Sequence, residues 1–271
     1  MANFDINNFV IDRVVRGVAL SQKDDSVLFS INQIQNASLN CASESADAVD
    51  ALGTPIATFY RAKSAEFSAE NALYDMNLMA TQLGTEKKVA SDSSKITVPA
   101  MENFTPVKST GKDTYEHKLK HSPKTAPTEI YVLNNDSTFG TKYKLATDAK
   151  GDPASAATAE AFAIVGDTIY LPTAITTASD MFVMYEYDTD SAVEVVNSAT
   201  QFPVGCKFVM EVLGCDVCDQ STLVYAYVIF NNFKLSPDFD WSIATDGAHP
   251  FSGKAQQDYC DKEKRLELFA A

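Results

Sequence analysis

Two groups of side chains have the types and spacing for chemistry. Cys215 and Cys218 form a Cys-x-x-Cys pair, which supplies half of a zinc site or a redox couple, with Cys206 and Cys260 as conceivable third and fourth ligands. A second pair at matching spacing is missing, and a redox pair opens a helix after a strand, whereas this one lies between two strand-like runs. The plainer reading is a reduced hairpin turn. His117 and His121 stand four apart in EHKLKH, a spacing that places both imidazoles on one helix face in H-E-x-x-H metal sites. Lys, Leu and Lys lie between them, so no Glu serves as base. Pro123 and the neighbouring strand signals argue against a helix, and the segment reads as a solvent-exposed basic stretch.

Other chemistry has no positive support. G-x-G-x-x-G, Walker and G-x-S-x-G patterns are all missing. Carboxylates are plentiful, as in DFDW around Trp241 and in DYCDKEK, but paired acids arise by chance in an acidic chain, and a hydrolytic dyad needs a fold to set its separation. The expectation is a protein with no catalytic residues, no cofactor and no resident metal.

Bulk properties narrow the class. The chain has 271 residues, 45% of them apolar and 21% charged, which suits one large β domain or a core domain carrying a smaller insert. Acidic residues outnumber basic ones 36 to 22, a net charge of −14. Duplex binding draws on Lys and Arg neutralising phosphate, so such a surface repels DNA and lets it pass. No apolar run approaches membrane-spanning length and the N-terminus lacks the pattern of a signal peptide, so the expectation is a soluble chain made in the cytosol. Five cysteines without a secretion signal point to reduced thiols.

The elements that position these residues are mostly strands. Leu28–Cys41 alternates with an irregularity near Asn36, and a second strand begins at Ile56; between them, Ser43–Thr54 reads as an acidic loop. Leu73, Met76, Ala80 and Leu83 fall at helical spacing, predicting a helix over 69–83 with Ser68 as its N-cap and Gly84 as its terminator. After a weakly patterned stretch with one short strand near 96–98 come strand candidates at 129–133, 142–145, 161–165, 168–171 and 181–187, a spacing that suits a small sandwich. Cys206–Leu213 and Leu223–Phe233 are the most strand-like runs, and KRLELFAA reads as a closing strand.

The order of these elements, with the phrases TPIATFYRAKSAEFSAENALYDMN and AHPFSGKAQQDYCDKEKRLELF, resembles the tail tube (major tail) proteins of tailed bacteriophages. The resemblance covers roughly 26–83 and 206–269, which divides the chain into an N-terminal arm (1–25), a tube-like core (26–85 and 204–271) and an inserted β-rich region (86–203). It implies a β-sandwich or half-barrel with one flanking helix, assembling with itself into stacked hexameric rings. The tube is then the virion's conduit for DNA delivery, with other tail proteins as partners and genomic DNA passing without specific binding. Loops placed like 43–54 reach toward the adjacent ring in such proteins, which makes Glu44, Asp47 and Asp50 candidates for an inter-ring contact or for the lumen. Two other classes stay in view: a capsid decoration or other head or tail component, and a carbohydrate-binding or hydrolytic β-sandwich. The last should present an exposed aromatic platform, for which Trp241 with Tyr259 is the visible material.

Overall fold

The computed structural model describes residues 8–109, 114–148, 150–152, 155–258 and 265–270. Alternating apolar runs separated by turn residues produce a mainly β chain with one helix. The strands are β1 (Phe9–Ser21), β2 (Val27–Ile31), β3 (Ile34–Val49), β4 (Pro55–Asn71), β5 (Lys88–Val89), β6 (Ile96–Phe104), β7 (Val107–Lys108), β8 (Tyr115–Lys118) and β9 (Glu129–Leu133). They continue as β10 (Phe139–Leu145), β11 (Ala161–Val165), β12 (Thr168–Tyr170), β13 (Met181–Thr189), β14 (Val193–Glu194), β15 (Gly205–Asp216), β16 (Asp219–Leu235), β17 (His249–Ala255) and β18 (Leu268–Ala270). The helix α1 spans Met76–Leu83. Two compact units result, Met1–Lys87 with Val195–Ala271, and Lys88–Glu194.

In the first unit the strands pair in the order β2-β1-β15-β16-β17-β4-β3, with β18 added to β16. The sheet curls until β1 and β3 approach one another, a half-barrel around one core. Inward positions on alternate residues deliver Phe29, Phe67, Phe208, Phe230, Phe233 and Phe251 to that core, each 2% exposed or less. Their ring centroids lie 5.3–6.2 Å apart, within the range favoured by aromatic pairs. Burying each contributes about 1.5–3 kcal/mol.

Two expectations are corrected here. Residues 9–21 of the expected N-terminal arm form β1, hydrogen-bonded between β2 and β15. The polar Asp12, Arg13 and Arg16 mask its alternation, which reaches the core only at Gly17 and Ala19. Residues 1–7 lie outside the described residues. The helix starts at Met76, not at 69, because Ala69–Asn71 continue β4, Ala69 pairing with β17 and Glu70 and Asn71 with both β3 and β17. Cross-strand pairing on two sides there outweighs the helical spacing, which leaves Leu73 exposed.

The helix end falls where it was expected. Asp75 serves as N-cap, accepting the N–H groups of Asn77 at 2.9 Å and Leu78 at 2.7 Å. Gly84 terminates it at φ 69°, and a Cβ there would lie 2.2 Å from the backbone of Phe202. His249, fully buried on β17, fastens the helix: its Nδ1 accepts the Asp75 N–H at 3.3 Å and its Nε2–H donates to Gln82 at 2.8 Å. Burial pushes the His249 imidazole below its ordinary pKa of 6.5, against an opposing pull from Asp75.

The second unit follows one hydrogen-bonded path, β6-β13-β9-β10-β11-β12-β8-β7, antiparallel except where β10 meets β11. Ile130, Phe162, Ile169, Leu171, Met181 and Val183 fill its core. A buried carboxylate, Glu102 on β6, ties the path across to the β8 side. It accepts the Lys120 N–H at 3.0 Å and the Tyr185 hydroxyl, and lies 3.2 Å from His117 Nε2. Burial alone would raise its pKa, but the bonds from Tyr185, Lys120 and His117 outweigh that, leaving it below the usual range. At the neck of the unit, β5 and β14 pair antiparallel, Lys88 opposite Glu194 and Val89 opposite Val193.

Candidate assembly surface

The segment 43–54, expected as a loop, is mostly strand. β3 runs to Val49 and only 50–54 turn back into β4. Small residues and acids give 43–49 no apolar alternation of its own, so its extension depends on the β4 partner. Asp50 closes the turn, its Oδ1 accepting the N–H groups of Leu52 and Thr54, each at 2.8 Å. Asp47 accepts the Thr58 hydroxyl at 2.7 Å, and Glu44 stands opposite Arg61.

Register decides what these acids share. Glu44 and Asp47 are separated by three residues on a strand without an intervening bulge, so they project from opposite faces of the ribbon. The three candidates therefore form no single acidic patch. One is a turn-former and the other two face opposite ways, with Arg61 and Lys63 on the partnering strand. Three register shifts interrupt this ladder: Asn36 at φ 52° adds a residue to β3, Ala62 at φ 48° adds one to β4, and a third falls beside the turn, between Ala48 and Val49. Beyond Ala62 the even-numbered residues of β4, Tyr60 and Thr58, take the side held below it by Ala65 and Phe67.

From Asn40 to Ser64 every residue except Ala48 is exposed, so this ribbon is wet on both faces. It nonetheless carries Leu52 at 91% exposure, Ile56 at 70%, Tyr60 at 74% and Phe59 at 55%. A lone two-stranded ribbon is marginal in water, and β3 is also the sheet's terminal strand, with its outer backbone edge unpaired along 16 residues among the described elements. Where the ribbon joins the half-barrel, an apolar cavity of about 220 Å³ opens, lined by Ile11, Val14, Leu39, Val212, Val228 and Phe269. Unsatisfied edge, bare aromatics and an apolar recess together form a surface suited to another protein chain. Sequence reasoning missed Ile56, Phe59 and Tyr60 as surface residues, because apolar alternation implies one buried face, whereas this ribbon extends past the core and neither face is covered.

The residues singled out for chemistry are dispersed. Cys215 and Cys218 sit at the β15–β16 hairpin, where the Cys218 N–H donates to Asp216 at 2.8 Å. Cys206 lies nine residues away along the same strand, about 30 Å at strand rise. It is fully buried, with its thiol donating to the Phe233 carbonyl at 3.4 Å and its pKa pushed up to about 12 by burial, so it is not a third ligand. Cys260 lies outside the described residues. Cys41 is exposed on the ribbon, its thiol raised by local desolvation and by Glu267 at 3.8 Å. His117 is on a strand instead of a helix and stacks on Phe104 at 3.9 Å, while His121 stacks on Tyr187 at 3.9 Å. The first is mostly covered, its side chain 18% exposed, which corrects the reading of a wholly solvent-exposed stretch. Among the described residues no group of three or more His, Cys, Asp or Glu is placed to hold a metal. Trp241 packs against Tyr74 and His249 instead of forming a platform, and Tyr259 lies outside the described residues.

The surface with distinctive chemistry is therefore the ribbon and the recess at its base. A family model, the YomU/Tube protein family, matches residues 9–264. No curated protein matches the chain.

Proposed function

The chain belongs to the YomU/Tube protein family and is a phage tube-like structural protein of the virion tail, and from that premise we propose that it builds the tail tube as stacked hexameric rings. The observation that carries this reading is the β3–β4 ribbon, whose exposed Ile56, Phe59 and Tyr60 and open β3 edge call for a neighbouring subunit. Residues on one face of the ribbon meet the adjacent subunit or ring and residues on the other face line the channel. Since Glu44 and Asp47 point to opposite faces, one serves the contact and the other the lumen, while Asp50 holds the turn that lets both strands reach out. A net charge of −14 supports a wall that repels phosphate, so DNA transits without sticking.

Negative-stain microscopy of the concentrated protein, alone and with a tail initiator complex, tests the proposal. Sixfold rings and tubes are the expected result. A chain that stays monomeric in both conditions and is missing from assembled tails would falsify it.

A further inference from the structure

The second unit carries an open cleft of about 900 Å³ between the end of β6, the β9–β10 turn and the segment leading into β13. Seven of its eleven lining residues are polar, and only Asp180 is charged. Asp180 is already engaged, its carboxylate accepting the Thr105 hydroxyl. The side chains of Asn103, Asn135 and Ser179 make no hydrogen bond with another described residue, so two amides and a hydroxyl stand free in the lining.

Beside the cleft lies an aromatic group. Phe182 on β13 stands between Asn103 on β6 and Tyr131 on β9, all on the outward face of the sheet. Phe139, at the start of β10, leans against both rings, at 5.3 Å from Tyr131 and 5.1 Å from Phe182, and remains 60% exposed. Tyr131 is fixed in turn by its hydroxyl bond to Glu129 at 2.6 Å. Two tilted neighbours thus hold one exposed ring beside a polar trough whose one carboxylate, Asp180, is already engaged.

Chemistry separates the possible occupants. A nucleic-acid strand asks for a basic groove, and the cleft lining contains no Lys or Arg. A protein contact asks for an apolar centre with a polar rim. The lining here is mostly polar, and the exposed ring stands outside it, two residues along the chain from the lining residue Ser137. Free amides and a hydroxyl beside an exposed ring face match a pyranose, whose hydroxyls exchange hydrogen bonds with amides while its C–H face packs on the aromatic ring.

We propose that this cleft is an oligosaccharide-binding site, with Phe139 as the stacking ring and Asn103, Asn135 and Ser179 as hydrogen-bonding groups. It is independent of how the ribbon assembles. Calorimetric titration of the full chain with neutral hexasaccharides of glucose (α- and β-linked), N-acetylglucosamine, mannose and galactose tests it. At least one should bind, and both Phe139→Ala and the double variant Asn103→Ala/Asn135→Ala should weaken that binding tenfold or more with the melting temperature within a few degrees of the parent. Silence across the whole panel overturns the proposal, as does binding that neither variant changes. If Phe139→Ala instead lowers self-association in sedimentation velocity while leaving sugar titrations flat, the ring is a protein contact and the assignment is wrong.

Discussion

At the residue scale, Cys206, His117 and His249 are built into the packing, and the behaviour of such groups is measurable. Cys206, buried under the aromatic core with its thiol pKa near 12, should resist a thiol reagent at pH 8 in the native state and react on unfolding, whereas exposed Cys218 should react at once. Rapid native labelling of Cys206, read by peptide mass, would contradict the buried placement. His249 supplies a pH dependence. Its folded pKa is depressed, so above about 6.5 both states are neutral and the His249–Asp75 and His249–Gln82 bonds hold at full strength. As pH falls below that value the unfolded chain takes up a proton that the folded one resists, so stability declines downward from pH 6.5 toward the folded pKa. The melting temperature should drop between pH 7 and pH 5, and His249→Asn should flatten that part of the profile while lowering stability by roughly 1–3 kcal/mol, the cost of stranding buried partners. Glu102 acts in a separate, more acid window. Its depressed pKa contributes stability above the ordinary carboxyl value of 4.5, and that contribution is lost as pH falls through the folded value.

At the element scale, caps and register explain both what the sequence revealed and what it concealed. Asp75→Ala should cost about 1 kcal/mol by removing the N-cap, and Gly84→Ala should cost more, since its φ of 69° and the Phe202 backbone both oppose a side chain. Urea midpoints measure both. The strand runs at 129–133 and 161–165 were legible to the residue, because β-branched and aromatic residues cluster there between turn residues. The irregularity at Asn36 was legible as well. The length of β3 and β4 was not: residues 43–49 are extended by their partner strand instead of by their own pattern, and Ala62 inverts the facing of the β4 residues from Arg61 to Ala57. Hence the sequence offered Glu44, Asp47 and Asp50 as one group of candidates, while their separation onto two faces and a turn was hidden. The ribbon itself can be removed by design: replacing Ala46–Phe59 with Asn-Gly joins the paired Ser45 and Tyr60 through a two-residue turn. That variant should fold with stability within about 0.5 kcal/mol of the parent, since the residues lost are exposed, yet fail to form tubes. Normal tubes under the microscope would place the assembly contact elsewhere.

At the scale of the whole molecule, two units with separate cores imply separable folding. Replacing Ala90–Ala192 with Asn-Gly joins the paired Val89 and Val193 as a short hairpin. The remaining chain should keep a cooperative melt and a β-type circular dichroism spectrum, because the half-barrel core draws on no residue of the excised unit. Loss of cooperativity would show that the half-barrel depends on its companion. With its charge of −14, the full chain should also leave duplex DNA unshifted in a low-salt gel, where cationic binders hold it most strongly.

The pairing of β5 with β14 has an evolutionary side. Because the chain departs and returns on adjacent strands, the gap that the half-barrel must bridge is one inter-strand spacing, about 5 Å, whatever lies between. The genome can lengthen, shorten or exchange everything from residue 90 to residue 192 without altering the geometry seen by the rest of the chain. This is the position of a docking socket for cassettes, and length variation among family members should concentrate there, while the segments on either side keep a nearly constant span.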